Sequence, residues 1–205
     1  MAKTIIYPGS FDPIHVHHML GLSYFGKKYK MDRGILLPSC DHPEKGNGEN
    51  FWERIAIMET WLTEDPLPFP VGISNDEYAT RSTGASILNV VEQCRQSGST
   101  NEYLLLGLDT LGKFQQFDDY RRILDVLSLV VNDYDGNVTV FRPGANETVI
   151  QTKAVGGDIV LPTGRVILDR NPYNGLHSTD IRENPGAFLH IFPNKTRTLI
   201  EKLYC

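Results

Sequence analysis

Three histidines stand close together near the start of the chain, directly after a short apolar run. Residues 4–7 have the pattern of a buried strand that ends in a turn, and His15, His17 and His18 follow where a helix would begin. An imidazole can donate or accept a hydrogen bond, carry a positive charge or bind a metal ion. This cluster is therefore the first candidate for chemistry in the sequence.

A phosphate site is the interpretation that the neighbouring residues favour. Gly9-Ser10 after the strand would let backbone N–H groups approach an anion, and the N-terminus of the next helix adds partial positive charge. His15 and His18, three positions apart, can face the same way across one helical turn. A metal site would need a further ligand on that face, and His17 lies on another. A metal site and a chance cluster stay open as alternatives.

Strand-like and helix-like segments alternate along the chain around this cluster. The strand candidates are residues 4–7, 34–37, 69–73, 102–106, 127–131 and 165–168, with a weaker one at 138–141. The helix candidates are residues 17–28, 51–63, 84–96, 110–124 and 193–204. This alternation predicts an α/β fold: a Rossmann-like, doubly wound parallel sheet with helices on both faces. Its strands would end at a common ligand crevice.

No repeat or Pro/Ser-rich linker divides the chain, so we expect a single domain over residues 1–205. The stretch 132–164 is the least regular part of the pattern, and the polar stretch 38–50 reads as a mobile loop.

The composition limits the kinds of partner that the protein could bind. A net charge of −5 leaves no basic footprint for nucleic acid, so an anionic ligand would be held by local groups. No stretch approaches the roughly 18 consecutive apolar residues of a membrane span. The start of the chain lacks the apolar segment of a signal peptide, which predicts a cytoplasmic location. Three widely spaced cysteines without a CxxC pair suggest neither a disulfide framework nor a zinc–thiolate site.

Two segments near opposite ends of the chain resemble the signatures of the nucleotidylyltransferase superfamily. "GSFDPIHVHHM", residues 9–19, is similar to G-x-F-D-P-x-H-x-G-H, and "HSTDIREN", residues 177–184, is similar to S-S-T-x-I-R. "YLLLGLDTLGKFQQFDDYRRIL", residues 103–124, resembles the G-A-D-x-L-x-x-F-x-x-W segment of bacterial nicotinate-mononucleotide adenylyltransferases. "HPEK", residues 42–45, resembles the P-H-K loop of the same group.

This resemblance implies transfer of AMP from ATP to nicotinate or nicotinamide mononucleotide, with release of pyrophosphate and no covalent intermediate. The protein's task would be to position the reactants and neutralise charge. The family pattern assigns catalysis to His15, His18, Lys45 and Arg182. His15 and His18 would hold the triphosphate, His18 would also stabilise the transition state, and Arg182 would bind the β- and γ-phosphates.

The family pattern also implies the residues that bind the two substrates. ATP would be contacted by Gly9, Ser10, Phe11, Gly107, Asp109, Ser178, Thr179 and Ile181. The acceptor's ring would lie against Phe117, with Thr83 nearby. Mg²⁺ would travel with ATP and take few or no protein ligands. The partners would be these small molecules, without nucleic acid or membrane, and a homo-oligomer is left open.

The sequence departs from the family pattern at four places. His17 replaces the glycine of the first signature, His177 replaces a serine of the second, Phe117 replaces a tryptophan, and residues 82–84 lack a tyrosine. The acceptor could therefore differ, as in phosphopantetheine adenylyl- or cytidylyl-transferring relatives. His17 would favour a non-catalytic nucleotide-binding protein as a second alternative. If the protein is an enzyme, we expect glycine at position 17 to be tolerated or to raise the rate.

Overall fold

The computed structural model describes residues 2–40, 50–132, 138–144, 146–152, 157–162, 165–173 and 175–205. For residues 138–144, 152 and 157 it describes the backbone alone. Lys45, a predicted catalytic residue, lies outside the described residues.

The main sheet has six strands, all parallel, in the order β3-β2-β1-β4-β5-β9. The strands are β1 Ala2–Gly9, β2 Arg33–Pro38, β3 Val71–Ile73, β4 Ser99–Gly107, β5 Ser128–Asn132 and β9 Val166–Asp169. The strand order runs outward in one direction from β1 to β3 and in the other from β4 to β9, so it reverses between β1 and β4. This arrangement confirms the predicted doubly wound parallel sheet.

Helices cover both faces of this sheet. They are α1 Val16–Tyr29, α2 Phe51–Glu64, α3 Asp76–Thr80, α4 Thr83–Gln96, α5 Leu108–Lys113, α6 Tyr120–Val126, α7 Ser178–Glu183, α8 Pro185–Phe188 and α9 Asn194–Tyr204. Short 3₁₀ turns lie at Phe114–Gln116 and Leu189–Ile191. Within the described ranges, no helix combines the length and the apolarity that crossing a membrane requires.

The two faces of the sheet form two separate cores because successive strand residues point to opposite sides. Ile5 packs in a core with Phe25 of α1 and with residues of α2 and α9. Ile6, the next residue, packs in the other core with Val90 of α4 and Ile123 of α6. The prediction of helices on both faces is therefore confirmed.

One expectation about elements is wrong, and the weaker strand predicted at 138–141 is confirmed. Residues 110–124 do not form one helix: α5 ends at Lys113, a 3₁₀ turn follows, and Asp119 takes a positive φ of 59° before α6 begins. The stretch 132–164 contains a second sheet, antiparallel in the order β6-β7-β8. Its strands are β6 Val138–Gly144, β7 Glu147–Thr152 and β8 Gly157–Pro162. This sheet is held by packing, since Ile150, Ile159 and Leu161 belong to the second core.

Candidate active site

The point where the strand order reverses brings two distant parts of the chain to one edge of the sheet. β1 ends at Gly9, and the first signature follows it; β4 ends at Gly107, and Asp109 follows in the first turn of α5. In open α/β sheets, ligands bind in the crevice outside the carboxyl ends of the strands at such a point. The fold thus places the predicted nucleotide contacts Gly9, Gly107 and Asp109 at the expected crevice.

The turn after β1 is held by Phe11. Its φ is 46°, its side chain is buried, and its ring meets Tyr7 and His18 edge-on at 5.2 Å between centroids in both cases. A side chain at Gly9 would put its Cβ 3.0 Å from the Phe11 ring, so glycine permits this close approach. Any contact of Gly9 and Phe11 with a nucleotide would therefore come from backbone atoms.

His15 and His18 are brought together as predicted. The backbone N–H of His15 donates to Nδ1 of His18 at 3.2 Å, and the two ring centroids are 3.7 Å apart. His15 is the residue before the first turn of α1, so both rings stand at that helix's N-terminus. Because Nδ1 of His18 accepts a hydrogen bond, the proton of its neutral form lies on Nε2, which can donate.

His15 is buried, and its Nδ1 has no hydrogen-bond partner in the described part of the chain. Burial, together with the neighbouring His18, lowers the pKa of His15 far below its ordinary value. The ring is therefore neutral at physiological pH. A buried polar atom without a partner costs free energy, and a bound ligand would supply the missing hydrogen bond.

Asp12 is a buried carboxylate that sequence reasoning missed, although it lies within the first signature. Its Oδ1 accepts hydrogen bonds from the Tyr204 hydroxyl at 2.6 Å and from Nδ2 of Asn50 at 3.1 Å. Its Oδ2 lies 3.6 Å from the Arg182 guanidinium. Residues from α7, from α9 and from the start of α2 thus converge on the first signature.

The second signature, in α7, is docked directly on the first. Ser178 Oγ donates to the Pro13 carbonyl at 3.0 Å, and the Arg182 guanidinium donates to the Asp12 carbonyl and, at 3.1 Å, to Thr179 Oγ1. The structure therefore places Ser178, Thr179 and Arg182 beside the Asp12-Pro13 segment that precedes the histidines. Their polar groups are already engaged with protein atoms, so a phosphate would share or replace these contacts.

Ile181 is the exception among the predicted ATP contacts in α7. Its side chain is fully buried in the core formed with α1 and α2. Its side chain therefore fixes α7 to the sheet, and a contact with ATP would have to come from its backbone.

Arg54 is a second residue that sequence reasoning missed. It is fully buried, and its guanidinium donates to Asn50 Oδ1 at 3.0 Å, to the Ser39 carbonyl at 2.9 Å and to the Ser10 carbonyl. It also lies 5.5 Å from the Phe51 ring centroid. One guanidinium thus ties together the segments that follow β1 and β2. The available signal was an arginine within the apolar stripe of a helix, at helical spacing from Phe51.

The predicted acceptor residues lie on neighbouring segments. Phe117 is half-buried, with its ring edge-on to Phe114 at 5.5 Å. The turn after it packs against the start of α4: a Cβ at Gly84 would come within 1.7 Å of the Asp118 carbonyl oxygen, so the two backbones are in contact. Thr83, beside this contact, donates its hydroxyl to the Glu77 carboxylate.

Glu77 is a buried carboxyl beside this region. Its Oε1 accepts the backbone N–H of Cys40 at 3.2 Å, and burial raises its pKa to about 7. A folded-state pKa above the usual value means that this group stabilises the fold fully at low pH. That contribution is lost as the pH rises through about 7.

Replacing Glu77 by glutamine should remove this pH dependence. The free energy of unfolding of Glu77→Gln relative to the wild type should increase between pH 5 and pH 8 by about 1–3 kcal/mol. Urea unfolding at both pH values measures the difference. Glu92→Gln, on the exposed surface of α4, is the control for loss of one charge. An equal effect of Glu77→Gln at both pH values would show that Glu77 does not titrate in this range.

Among the described residues there is no group of three or more histidine, cysteine, aspartate or glutamate side chains that could hold a metal ion.

The fold and the site define a class of protein, and comparison with known proteins gives its family. A Rossmann-like parallel sheet with paired histidines and an arginine at its switch point defines an α/β protein with a candidate phosphate site. The chain belongs to the cytidylyltransferase-like family, whose model matches residues 6–184. The predicted membership of the nucleotidylyltransferase superfamily is thereby confirmed.

Individual relatives carry a narrower description. A protein of Roseiflexus castenholzii described as "probable nicotinate-nucleotide adenylyltransferase" is 26% identical over 183 residues, covering 88% of this chain and 84% of the relative. One of Fusobacterium nucleatum with the same description is 23% identical over 98% of both chains. The solved Plasmodium falciparum nicotinic acid mononucleotide adenylyltransferase complexed with NaAD has a TM-score of 0.70 at 15% identity, covering 100% of this chain and 98% of that one.

Proposed function

We propose that the protein transfers AMP from ATP to a pyridine mononucleotide, with nicotinate mononucleotide as the first candidate, and releases pyrophosphate. One observation carries the phosphate chemistry. The buried, neutral His15 has an Nδ1 without a partner in the described structure, and it stands against His18 at the N-terminus of α1. The descriptions of the relatives support the choice of acceptor.

In the proposed reaction, a phosphate oxygen of the acceptor attacks the α-phosphorus of ATP. The bond from that phosphorus to the bridging oxygen breaks, and pyrophosphate leaves. Nε2–H of His18 would donate to an oxygen on which negative charge increases in the transition state. Arg182 would neutralise the β- and γ-phosphates, and the N-terminus of α1 would add its partial positive charge.

Mg²⁺ and Lys45 would add positive charge, and residues after β4 would contact the nucleotide. Mg²⁺ would be held by the phosphates of ATP, since the described residues provide no cluster of ligands for it. Lys45, by the family pattern, would add a second cation from its loop. Gly107 at the end of β4 and Asp109 in the first turn of α5 would contact the nucleotide across the crevice.

An acceptor panel tests the proposal. The protein with Mg²⁺ is given ATP or CTP together with nicotinate mononucleotide, nicotinamide mononucleotide or phosphopantetheine, and pyrophosphate and the joined product are measured. We expect pyrophosphate and a dinucleotide with ATP and a pyridine mononucleotide. Release of ADP and orthophosphate alone would contradict nucleotidyl transfer. ATP binding without pyrophosphate from any acceptor would favour a non-catalytic protein.

Replacing Phe117 by alanine should weaken acceptor binding specifically. If the pyridine ring stacks on Phe117, its loss should raise KM for the acceptor by about 5- to 150-fold, which corresponds to the roughly 1–3 kcal/mol of a base stacked on an aromatic ring. KM for ATP should barely change. Steady-state kinetics with each substrate varied in turn measures both values.

Phe117→Leu is the matched control, because it keeps an apolar contact with the core and removes the stacking face. It should raise the acceptor KM as alanine does, with a smaller loss of melting temperature. If both KM values rise together in proportion to the loss of stability, Phe117 is a packing residue and the stacking assignment is wrong.

A further inference from the structure

His17 stands where the family pattern has glycine, and the structure gives its side chain a specific contact. The backbone N–H of Leu176 donates to Nδ1 of His17 at 3.2 Å. Leu176 is the residue before His177, which precedes the first turn of α7. One side chain of the first signature therefore holds the segment that leads into the second.

A second residue of the chain before α7, Asn171, lies close to the same face of α1. His17 and Gly21 are four residues apart, so they share one face of the helix. A Cβ at Gly21 would lie 3.2 Å from the Asn171 side chain. Asn171 and Leu176 thus both lie beside this face of α1.

The chemical state of His17 suits this contact. Burial and the nearby His177 both lower the pKa of His17 below its usual value, which favours the neutral ring. A neutral ring with its proton on Nε2 leaves Nδ1 as an acceptor for the Leu176 amide. Glycine at this position would offer no acceptor, and the amide would need another partner.

The position of α7 matters because it carries Arg182. In the docked arrangement Arg182 reaches the Asp12 carbonyl and Ser178 reaches the Pro13 carbonyl. Both contacts are made by residues of α7 itself, which is only six residues long. His17 adds a contact to the segment just before α7, at the Leu176 amide.

We propose that His17 is a positioning residue for nucleotidyl transfer: its Nδ1 anchors the Leu176 backbone and thereby sets α7 and Arg182 against the first signature. The inference rests on the proposed function for its kinetic consequence, although the anchoring itself is independent of it. It also reverses the expectation that glycine at position 17 is tolerated or raises the rate.

The first test concerns the contact alone. Amide hydrogen exchange of Leu176, followed by NMR, should be faster in His17→Ala and His17→Gly by roughly two- to tenfold, the range expected for loss of one hydrogen bond. His17→Asn keeps an acceptor oxygen at a position comparable to Nδ1, so it should retain the protection. Unchanged exchange at Leu176 in His17→Ala would overturn the proposal whatever the protein's activity.

The second test concerns the effect on the phosphate side of the site. His17→Ala and His17→Gly should raise KM for ATP by roughly five- to tenfold, with little change in the acceptor KM, and His17→Asn should restore it. A role in stability alone would shift the melting temperature without this split between substrates. Variants that lose Leu176 protection but keep the ATP KM within about twofold would show that the anchor has no role in binding.

Failure of the proposed function would be recognised separately. A wild-type protein that releases no pyrophosphate from any acceptor fails the acceptor panel, and calorimetric binding of a non-hydrolysable ATP analogue then replaces KM in the second test. His190→Ala is the control, because His190 is exposed in the 3₁₀ turn after α8. It should change neither the exchange of Leu176 nor ATP binding.

Discussion

Replacing His18 by alanine should lower kcat by about 100- to 1,000-fold, the usual cost of losing one donor that stabilises transition-state charge. KM for ATP should change much less, because the lost hydrogen bond strengthens only as charge builds on the reacting phosphates. Steady-state pyrophosphate release under saturating acceptor measures both constants. A loss of activity below about threefold would mean that the role of His18 has been misassigned.

His18 also accepts a hydrogen bond within the protein, so a second variant is needed to separate this role from catalysis. Its Nδ1 accepts the backbone N–H of His15, so alanine also removes a hydrogen bond at the start of α1. His18→Asn can keep an acceptor for that N–H while it lacks the donor at Nε2. It should therefore lose kcat almost as severely as alanine does but keep more of the melting temperature. Recovered activity together with a recovered melting temperature in His18→Asn would show that the contact to His15 is the important one.

Replacing Arg54 by alanine should lower the free energy of unfolding by about 3–5 kcal/mol, the typical cost of removing one member of a buried charged network. The change leaves the Ser10 and Ser39 carbonyls without their guanidinium donors. It also removes the positive charge that faces the buried Asp12 and Glu77 carboxyls. Urea unfolding monitored by fluorescence measures the difference in stability.

Two further variants distinguish loss of the Arg54 hydrogen bonds from the general effect of removing a positive charge. Arg122→Ala removes a positive charge from an exposed pair with Asp119, at 3.5 Å, and should cost less than about 1 kcal/mol. Arg54→Lys keeps the positive charge but loses the planar guanidinium that donates to three acceptors. Its stability should therefore fall between those of the wild type and Arg54→Ala. If Arg54→Ala costs no more than Arg122→Ala, the buried guanidinium does not organise the site.

The parts of the fold that depend on local spacing were predictable. The strand β1, the turn after it and α1 follow from a short apolar run, a glycine and a helical pattern, all within about thirty residues. The pairing of His15 with His18 follows in the same way, because residues three apart share a helix face. A parallel, doubly wound sheet then follows from the alternation of strands and helices.

The errors arose where local pattern and tertiary contact disagree. The apolar periodicity continues through residues 110–124, but the chain turns at Phe117 and Asp119 to pack against the start of α4, where Gly84 meets the Asp118 backbone. The strands β7 and β8 were not predicted, because they are short and gain their stability from packing Ile150, Ile159 and Leu161 into the second core.

The sequence by itself determined the class of fold, the two signatures and the histidine pair, because strand and helix periodicity and motif spacing are properties of neighbouring residues. Only the tertiary structure decided how the signatures meet. Asp12 accepts a hydrogen bond from Tyr204, 192 residues away, and His17 accepts one from Leu176, 159 residues away. Such contacts depend on which surfaces the packed helices bring together. The spacing of residues along the chain does not predict which surfaces these are.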